Sequence, residues 1–129
     1  MFEVKADRAA NRLYVTLTGF ASADHVERFE HDLTAALREL PRRRGPHQLL
    51  YDVSSAKIQS QEIVAAMRDL VRASPKVSAF ALINASALAG RQLRRIFAGL
   101  DPMIFQQRDD AVAWLDNLIQ HDEVTASND

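Results

Sequence analysis

The sequence predicts a single α/β domain, in which a mixed five-stranded sheet packs with four helices in the order β-β-α-β-α-β-α-β-α. Two patterns predict this class: apolar residues recur with a period of two near the start of the chain, and short apolar runs alternate with helical stripes after it. With 129 residues, 47% hydrophobic and 26% charged, the chain has the composition of one ordinary domain with its own core. We expect this domain to span residues 1–121 and a polar tail to span residues 122–129.

The first two strands are predicted from strict alternation. Apolar residues occupy every second position in two segments, with Phe2, Val4 and Ala6 in the first and Leu13, Val15 and Leu17 in the second. Because the polar break between them is short, the two strands should form an antiparallel hairpin.

A long first helix is predicted between Ser22 and Pro41. Ser22 is a suitable N-cap, Asp24 complements the positive end of the helix dipole, and Pro41 cannot continue the helix. Apolar residues at helical spacing form its buried stripe: Val26, Phe29, Leu33, Ala36, Leu37 and Leu40.

Two buried strands are predicted on either side of the second helix. Residues 49–53 and 77–83 are apolar with little alternation, which is typical of parallel strands covered on both faces. The helix between them begins near Ser60 and ends at Ser74, before Pro75. Its apolar stripe consists of Ile63, Ala66, Met67, Leu70 and Val71.

The last third of the chain predicts a helix over residues 89–100, a strand over residues 103–105 and a final helix. This final helix should begin at Asp109 or Asp110, and we expect the chain beyond His121 to fray because it is polar. The predicted buried face contains Val112, Leu115, Leu118 and Ile119, with Trp114 at its edge.

Charge and hydropathy exclude several classes of protein. Sixteen Lys and Arg residues against seventeen Asp and Glu residues give a net charge of −1, which lacks the basic footprint of a nucleic-acid binder. No apolar run approaches the roughly 20 residues that a transmembrane helix needs. Acidic residues stand near the start, where a signal peptide would have its apolar core, and cysteine is absent. We therefore expect a cytoplasmic protein with no nucleic-acid partner and no transmembrane segment.

The known catalytic and cofactor motifs are missing from the sequence. There is no phosphate-binding glycine loop, no nucleophile elbow and no pair of histidines at zinc-binding spacing. Glu27 and His31 are four residues apart but have no evident third ligand, so we predict no metal and no cofactor. A catalytic trio of Asp52, Ser54 or Ser55 and a distant histidine is the kind that most domains offer by chance, and the sequence predicts no enzyme.

Two arginine clusters remain, one over residues 42–44 and one made of Arg91, Arg94 and Arg95. These side chains could contact a phosphate, an acidic partner or an anionic lipid head group. The alternative is that they are solvated charges that balance the acidic residues of the chain.

Residues 51–67 form the most informative segment, because a buried strand ends there in Asp52 and Ser54 and leads through a short loop into a helix. Ligands and switches on open α/β sheets gather at the carboxyl ends of strands. A phosphate on a serine at the start of a helix would meet free N–H groups and a favourable dipole. The alternative is a serine-rich turn whose hydroxyls cap the helix that begins near Ser60.

Three stretches of sequence resemble the STAS family, and more closely its SpoIIAA-like group, which is also labelled STAS/SEC14-like. They are LTGFASADHVERFEHDL after the hairpin, LLYDVSSAKIQSQEI in the strand, loop and helix, and the closing MIFQQRDDAVAWL. With the matching order of elements, the resemblance covers nearly the whole chain. It implies the α/β fold of that family and a domain that works by binding.

The resemblance also assigns roles within the loop. Asp52, Val53 and Ser54 match the start of the family pattern, and Ile58 matches its apolar spacer. The position of the phosphorylated serine in anti-sigma antagonists holds Gln61 here, so a displaced acceptor would have to be Ser60 or Ser55. Glu62 would supply a fixed negative charge beside it.

Together these observations predict a non-enzymatic, STAS-like regulatory domain that takes part in partner switching. Its protein partner would bind the loop that contains Asp52, Ser54, Ser55, Ser60, Gln61 and Glu62. The alternative is a carrier that binds a lipid or other apolar molecule between sheet and helices, with an anionic head near Arg91, Arg94 or Arg95. Since small mixed sheets leave an edge uncovered, a homodimer is a further expectation.

Overall fold

The computed structural model of the protein describes residues 1–41, 44–84 and 90–127. Arg42 and Arg43, together with the predicted start of the third helix at Ala89, lie outside the described residues. The described residues form the predicted order of elements: β1 (Phe2–Asp7), β2 (Arg12–Gly19), α1 (Ala23–Glu39), β3 (Gln48–Ala56), α2 (Gln61–Ala73), β4 (Ala79–Ile83), α3 (Gly90–Ile96), β5 (Met103–Phe105) and α4 (Arg108–Ser127).

The five strands form one sheet in the order β1-β2-β3-β4-β5. β1 pairs with β2 in antiparallel fashion, and every other neighbouring pair is parallel. Asn11 closes the hairpin in the left-handed region at a φ of 52°, a conformation that asparagine tolerates better than most residues. The predicted hairpin and parallel crossovers are therefore confirmed.

The main core lies on the face of the sheet that α1, α2 and α3 cover. The predicted stripes of α1 and α2 supply much of it, including Val26, Phe29 and Met67. A row of aromatic contacts runs through this core, with ring centroids 4.3 Å apart for Phe2 and Phe29, 6.4 Å for Phe29 and Tyr51, 5.3 Å for Tyr51 and Phe97, and 4.9 Å for Phe80 and Phe97.

The opposite face of the sheet is covered by α4. Leu50 of β3 and Ala81 of β4 pack there against Ala111 and Leu115 of α4, and all four side chains are fully buried. β3 and β4 are thus covered on both faces, as their apolar sequences predict.

A buried arginine helps to fix α4 on this face. The Arg12 guanidinium donates to Gln48 Oε1 at 2.8 Å, to the Tyr14 hydroxyl at 2.9 Å and to Asp116 Oδ1 at 2.7 Å. Gln48 Nε2 in turn donates to the carbonyl of Leu115 at 2.9 Å. Burial lowers the pKa of Arg12, but the hydrogen bonds to Asp116 and Tyr14 outweigh it, and the pKa lies above its ordinary value.

Three helix limits differ from the predictions. α4 begins at Arg108, so Asp109 and Asp110 lie in its first turn and do not cap it. α4 continues to Ser127 instead of ending at His121, because no glycine or proline in that segment stops it. α3 ends at Ile96 rather than at Leu100, since Gly99 turns the chain through a positive φ of 88°.

Candidate functional site

Two loops meet at the carboxyl ends of β2 and β3, where the sequence predicts a binding site. Because the two strands are parallel, both loops leave the sheet at the same edge. The N–H of Lys57, directly after β3, donates to the carbonyl of Gly19, the last residue of β2, at 3.0 Å. The two segments therefore stay hydrogen-bonded where the strands end.

Gln59 ties these loops together. It is 7% exposed, and its Oε1 accepts from the Ala21 N–H at 2.7 Å. Its Nε2 donates to the carbonyls of Gly19 at 3.0 Å and Lys57 at 2.6 Å. The side-chain amide therefore replaces solvent for three backbone groups, which gives the loops a defined conformation.

Gln92 extends this network to α3. Its Oε1 accepts from the Gln59 N–H at 2.8 Å, and its Nε2 donates to the Gln59 carbonyl at 2.7 Å. Both amides were missed in the sequence because a glutamine in a predicted loop or on a polar helix face has no distinguishing pattern. Apart from Lys57, their partners lie more than thirty residues away along the chain, and only the folded chain brings them together.

Ser60 is the N-cap of α2, as one of the two interpretations predicts. Its hydroxyl accepts from the Ile63 N–H at 3.3 Å, and Glu62 lies in the first turn, where a negative charge favours the helix dipole. Gln61 and Glu62 are exposed beside it.

Asp52 and Ser54 lie apart from this helix start. Ser54 donates through its N–H and its hydroxyl to Asp52 Oδ1, at 3.0 and 2.7 Å. Asp52 Oδ2 also lies 3.6 Å from Nη1 of Arg108 at the start of α4. Alternation along β3 places Asp52 on the same face as Leu50, which α4 covers, so the predicted loop set is divided between two faces of the sheet.

The remaining candidate residues are exposed and make few hydrogen bonds. Ser55 is exposed near the end of β3. Arg91, Arg94 and Arg95 are exposed on α3, and Arg95 Nη1 donates to Gln61 Oε1 at a long 3.4 Å. This contact is the link that the structure gives between the arginine cluster and the start of α2.

Two apolar side chains project from the loops that Gln59 ties together. Phe20 is 69% exposed and Ile58 is 51% exposed, although the backbone on either side of each is hydrogen-bonded. We call the surface formed by Phe20, Ile58, Ser60, Gln61 and Glu62 the carboxyl-end surface.

A groove of about 440 Å³ lies between the first turns of α1 and α2. Val26, Ile63 and Ala66 contribute apolar walls, while Glu27 and Glu62 are among its acidic residues. Ser60 and Glu62 belong to both the groove and the carboxyl-end surface.

A separate cavity of about 260 Å³ lies at the amino ends of the parallel strands, between the sheet and the last turns of the helices. We call it the amino-end cavity. Its walls are mainly apolar and come from β2, β3, α1, α2 and the segment after α3, with Leu13, Leu49, Leu37, Val71 and Phe97 among them. The sequence does not indicate it, because a stripe of apolar residues looks the same whether it fills a space or lines one.

Tyr51 and His47 are the buried polar side chains of the amino-end cavity. Tyr51 is 4% exposed, its hydroxyl has no hydrogen-bond partner among the described residues, and burial raises its pKa. Burial lowers the pKa of His47, which favours the neutral imidazole. Arg72 and Lys76 are exposed lining residues.

No metal site is found in the parts of the chain that the structure describes. Among the side chains that the structure describes, no three His, Asp or Glu residues come together as a metal would need. No helix within residues 1–41, 44–84 and 90–127 is long and apolar enough to span a membrane.

Similarity to known proteins supports the fold assignment. No protein-family model and no curated protein matches the sequence. Among solved structures, the chain is similar to an uncharacterized protein of the DUF3478 family with a SpoIIAA-like fold, from Shewanella loihica PV-4. The TM-score is 0.69 at 17% identity, over 88% of this chain and 93% of that chain.

These observations define the class of domain. The protein is an α/β domain with a SpoIIAA-like fold, as the resemblance in the sequence predicts. At this level of identity the similarity describes the fold, and function has to be argued from the two ends of the sheet.

Proposed function

We propose that this protein is a non-enzymatic regulatory domain that binds a protein partner through the carboxyl-end surface. The observation that supports the proposal most is the exposure of Phe20 and Ile58 on two loops whose conformation Gln59 holds. Apolar side chains on a preorganised backbone lose little conformational entropy on binding, so they are effective anchors for a partner.

Charge around the groove suggests the chemistry of the partner. Glu27, Glu30 and Glu62 line it together with apolar residues, and no Lys or Arg side chain does so among the described residues. A partner segment with apolar side chains flanked by Lys or Arg would complement this surface.

The positions of the serines favour Ser60 as the residue that a kinase would modify. A phosphate on Ser60 would lie at the start of α2, where free N–H groups and the dipole favour a negative charge. A phosphate on Ser54 would instead face the Asp52 carboxylate, which the Ser54 hydroxyl contacts at 2.7 Å. Ser60 is therefore the phosphate acceptor in our proposal. It is the neighbour of Gln61, which occupies the position of the phosphorylated serine in the family pattern.

Affinity capture with matched variants tests the partner-binding surface. Ile58→Asp and Glu62→Arg should lower recovery of the partner from the native cell extract by at least about tenfold, since both change the centre of the surface. Ile104→Asp is the control, because Ile104 is an isoleucine of similar exposure, 60%, on the distant strand β5. Equal recovery with all three variants would refute the assignment of the surface.

A second candidate function is the binding of an apolar small molecule, and the amino-end cavity is the observation that favours it. Native mass spectrometry of the protein isolated from its own cells tests it directly. A non-covalent adduct that is lost on denaturation is expected. A protein that carries no adduct and takes up no apolar probe would exclude this function.

A further inference from the structure

The amino-end cavity has the size of a medium-length hydrocarbon chain. An apolar cavity of about 150 Å³ holds benzene, with its six carbon atoms. By proportion, the 260 Å³ of this cavity accommodates about ten carbon atoms. Leu13, Leu33, Leu70 and Val71 line it, so a saturated chain would contact mostly aliphatic groups.

The charged side chains that line this cavity are basic. Arg72 follows directly after Val71 at the end of α2, and Lys76 lies in the connection to β4. No Asp or Glu side chain lines the cavity among the described residues, and neither basic residue has an ion-pair partner there. An anionic head group would find two cations without a competing carboxylate.

A carboxylate would remain near these two exposed residues and would not enter the cavity. Transferring an isolated carboxylate into an apolar space costs far more than leaving it at the surface. The exposed positions of Arg72 and Lys76 allow the head group to keep part of its hydration while the chain is buried. The cavity and its charges therefore fit an amphiphile better than a wholly apolar molecule.

Tyr51 adds a phenol to the lining of the cavity. Its ring packs edge-on against Phe29 and Phe97, so the core fixes its position. Atoms of a bound molecule would occupy the space that protein atoms leave beside it.

We propose that the amino-end cavity binds a medium-chain monocarboxylate of about ten carbon atoms, with the chain inside and the carboxylate at Arg72 and Lys76. This inference rests on the second candidate function, the binding of an apolar molecule, and adds the chemical class and the orientation of the ligand. Arg91, Arg94 and Arg95 do not line the cavity, so the head group lies elsewhere than the sequence suggests.

Calorimetry with two probes of equal length distinguishes recognition of the carboxylate from binding of the hydrocarbon chain. Decanoate and decan-1-ol differ in the charged head, and both are used below the concentrations at which they aggregate. We expect decanoate to bind about tenfold more tightly, because two ion pairs are added at the surface. Equal affinities would overturn the proposed class but leave the second candidate function standing, whereas no binding of either probe would overturn both.

Charge variants test the orientation. The double variant Arg72→Ala, Lys76→Ala should weaken decanoate binding about tenfold and leave decan-1-ol binding unchanged. The double variant Arg91→Ala, Arg94→Ala is the control, because it removes the same charge from exposed residues that do not line the cavity. A loss of decanoate affinity in the control alone would refute the orientation.

Histidine ring signals locate the ligand without any substitution. Decanoate should shift the NMR signals of the His47 imidazole, which lines the cavity. The His25 imidazole lies at the other end of α1, where its Nδ1 accepts from the Ser22 N–H at 3.1 Å, and it should not move. Shifts at His25 with none at His47 would show that decanoate binds elsewhere.

Discussion

The two ends of the parallel strands differ in how their polar groups and apolar side chains are arranged. At the carboxyl end, the amide of Gln59 satisfies the backbone groups of two loops and leaves apolar side chains outside. At the amino end, apolar side chains surround a space of about 260 Å³, and the hydroxyl of Tyr51 is left without a partner. Hydrogen bonds therefore hold the loops of the carboxyl end in a defined conformation. Incomplete packing leaves a cavity at the amino end.

This difference assigns a separate partner to each end. Hydrogen-bonded loops with exposed apolar side chains suit a protein partner, and a concave apolar space suits a small molecule. α1 and α2 run past both ends, since their first turns form the groove and their last turns line the cavity.

The largest effect on stability is expected from removing the side chain that joins the two loops at the carboxyl end. Gln59→Ala removes the partner of the Ala21 N–H and of two carbonyls, so the free energy of unfolding should fall by about 2–3 kcal/mol. Gln61→Ala is the control, because Gln61 is exposed and makes one long contact, and it should change stability by less than about 0.5 kcal/mol. Urea denaturation measures both, and equal losses would mean that Gln59 does not hold the loops.

Adding one methyl group to the core distinguishes the filled part from the open part. Val15 and Val53 are both 1% exposed in the main core, but of the two only Val15 lines the amino-end cavity. Val53→Ile should lower the free energy of unfolding by about 1–2 kcal/mol through overpacking. Val15→Ile should raise it by up to about 0.8 kcal/mol, since the cavity has room for the added group. If both variants lose stability equally, the cavity is not open in solution.

Removing a hydroxyl should have different effects at two tyrosines. Tyr51→Phe deletes a hydroxyl that faces the amino-end cavity and makes no hydrogen bond to the described residues, so it should change the free energy of unfolding by less than about 0.5 kcal/mol. Tyr14→Phe deletes the acceptor of the 2.9 Å bond from Arg12 and should lower it by about 1 kcal/mol. Thermal unfolding of the two variants measures the difference, and a loss at Tyr51 would show that its hydroxyl is bonded in solution.

The smallest effect concerns pH. Burial lowers the pKa of His47 from its ordinary value of 6.5, so the unfolded chain binds this proton more readily than the folded protein does. The stability contributed by His47 is present above pH 6.5 and is lost as the pH falls below it.

Two histidine variants measure this contribution. His47→Gln should flatten the loss of stability below pH 6.5, and His31→Gln, an exposed position on α1, serves as the control. Unfolding is followed at several pH values between 5 and 8. The same pH dependence in the His47 variant and the wild-type protein would contradict the prediction.

The fold could be predicted because its determinants are local in the sequence. Alternation in Leu13, Val15 and Leu17 predicts a strand with one buried face, and the helical spacing of Val26 and Phe29 predicts the face that α1 buries. Each of these patterns needs only neighbours within a few residues. The element order and the covered strands follow from them.

The site could be predicted only in part, because its geometry depends on distant contacts. Alternation along β3 places Asp52 on the other face of the sheet from Ser60. The length of β3 could not be predicted, because the strand continues to Ala56, past the end expected from the sequence. The roles of Gln59 and Arg12 depend on partners far along the chain, such as Asp116 for Arg12. Such contacts leave no periodic pattern in a single sequence.

Amide shift mapping with decanoate tests the separation of the two ends most directly. In a titration of ¹⁵N-labelled protein, we expect shifts at Leu49 and Val71 beside the amino-end cavity and none at Lys57 and Gln59. That result would place the small molecule at one end and leave the other free for a protein. Shifts confined to Lys57 and Gln59, or no shifts at all, would contradict the account.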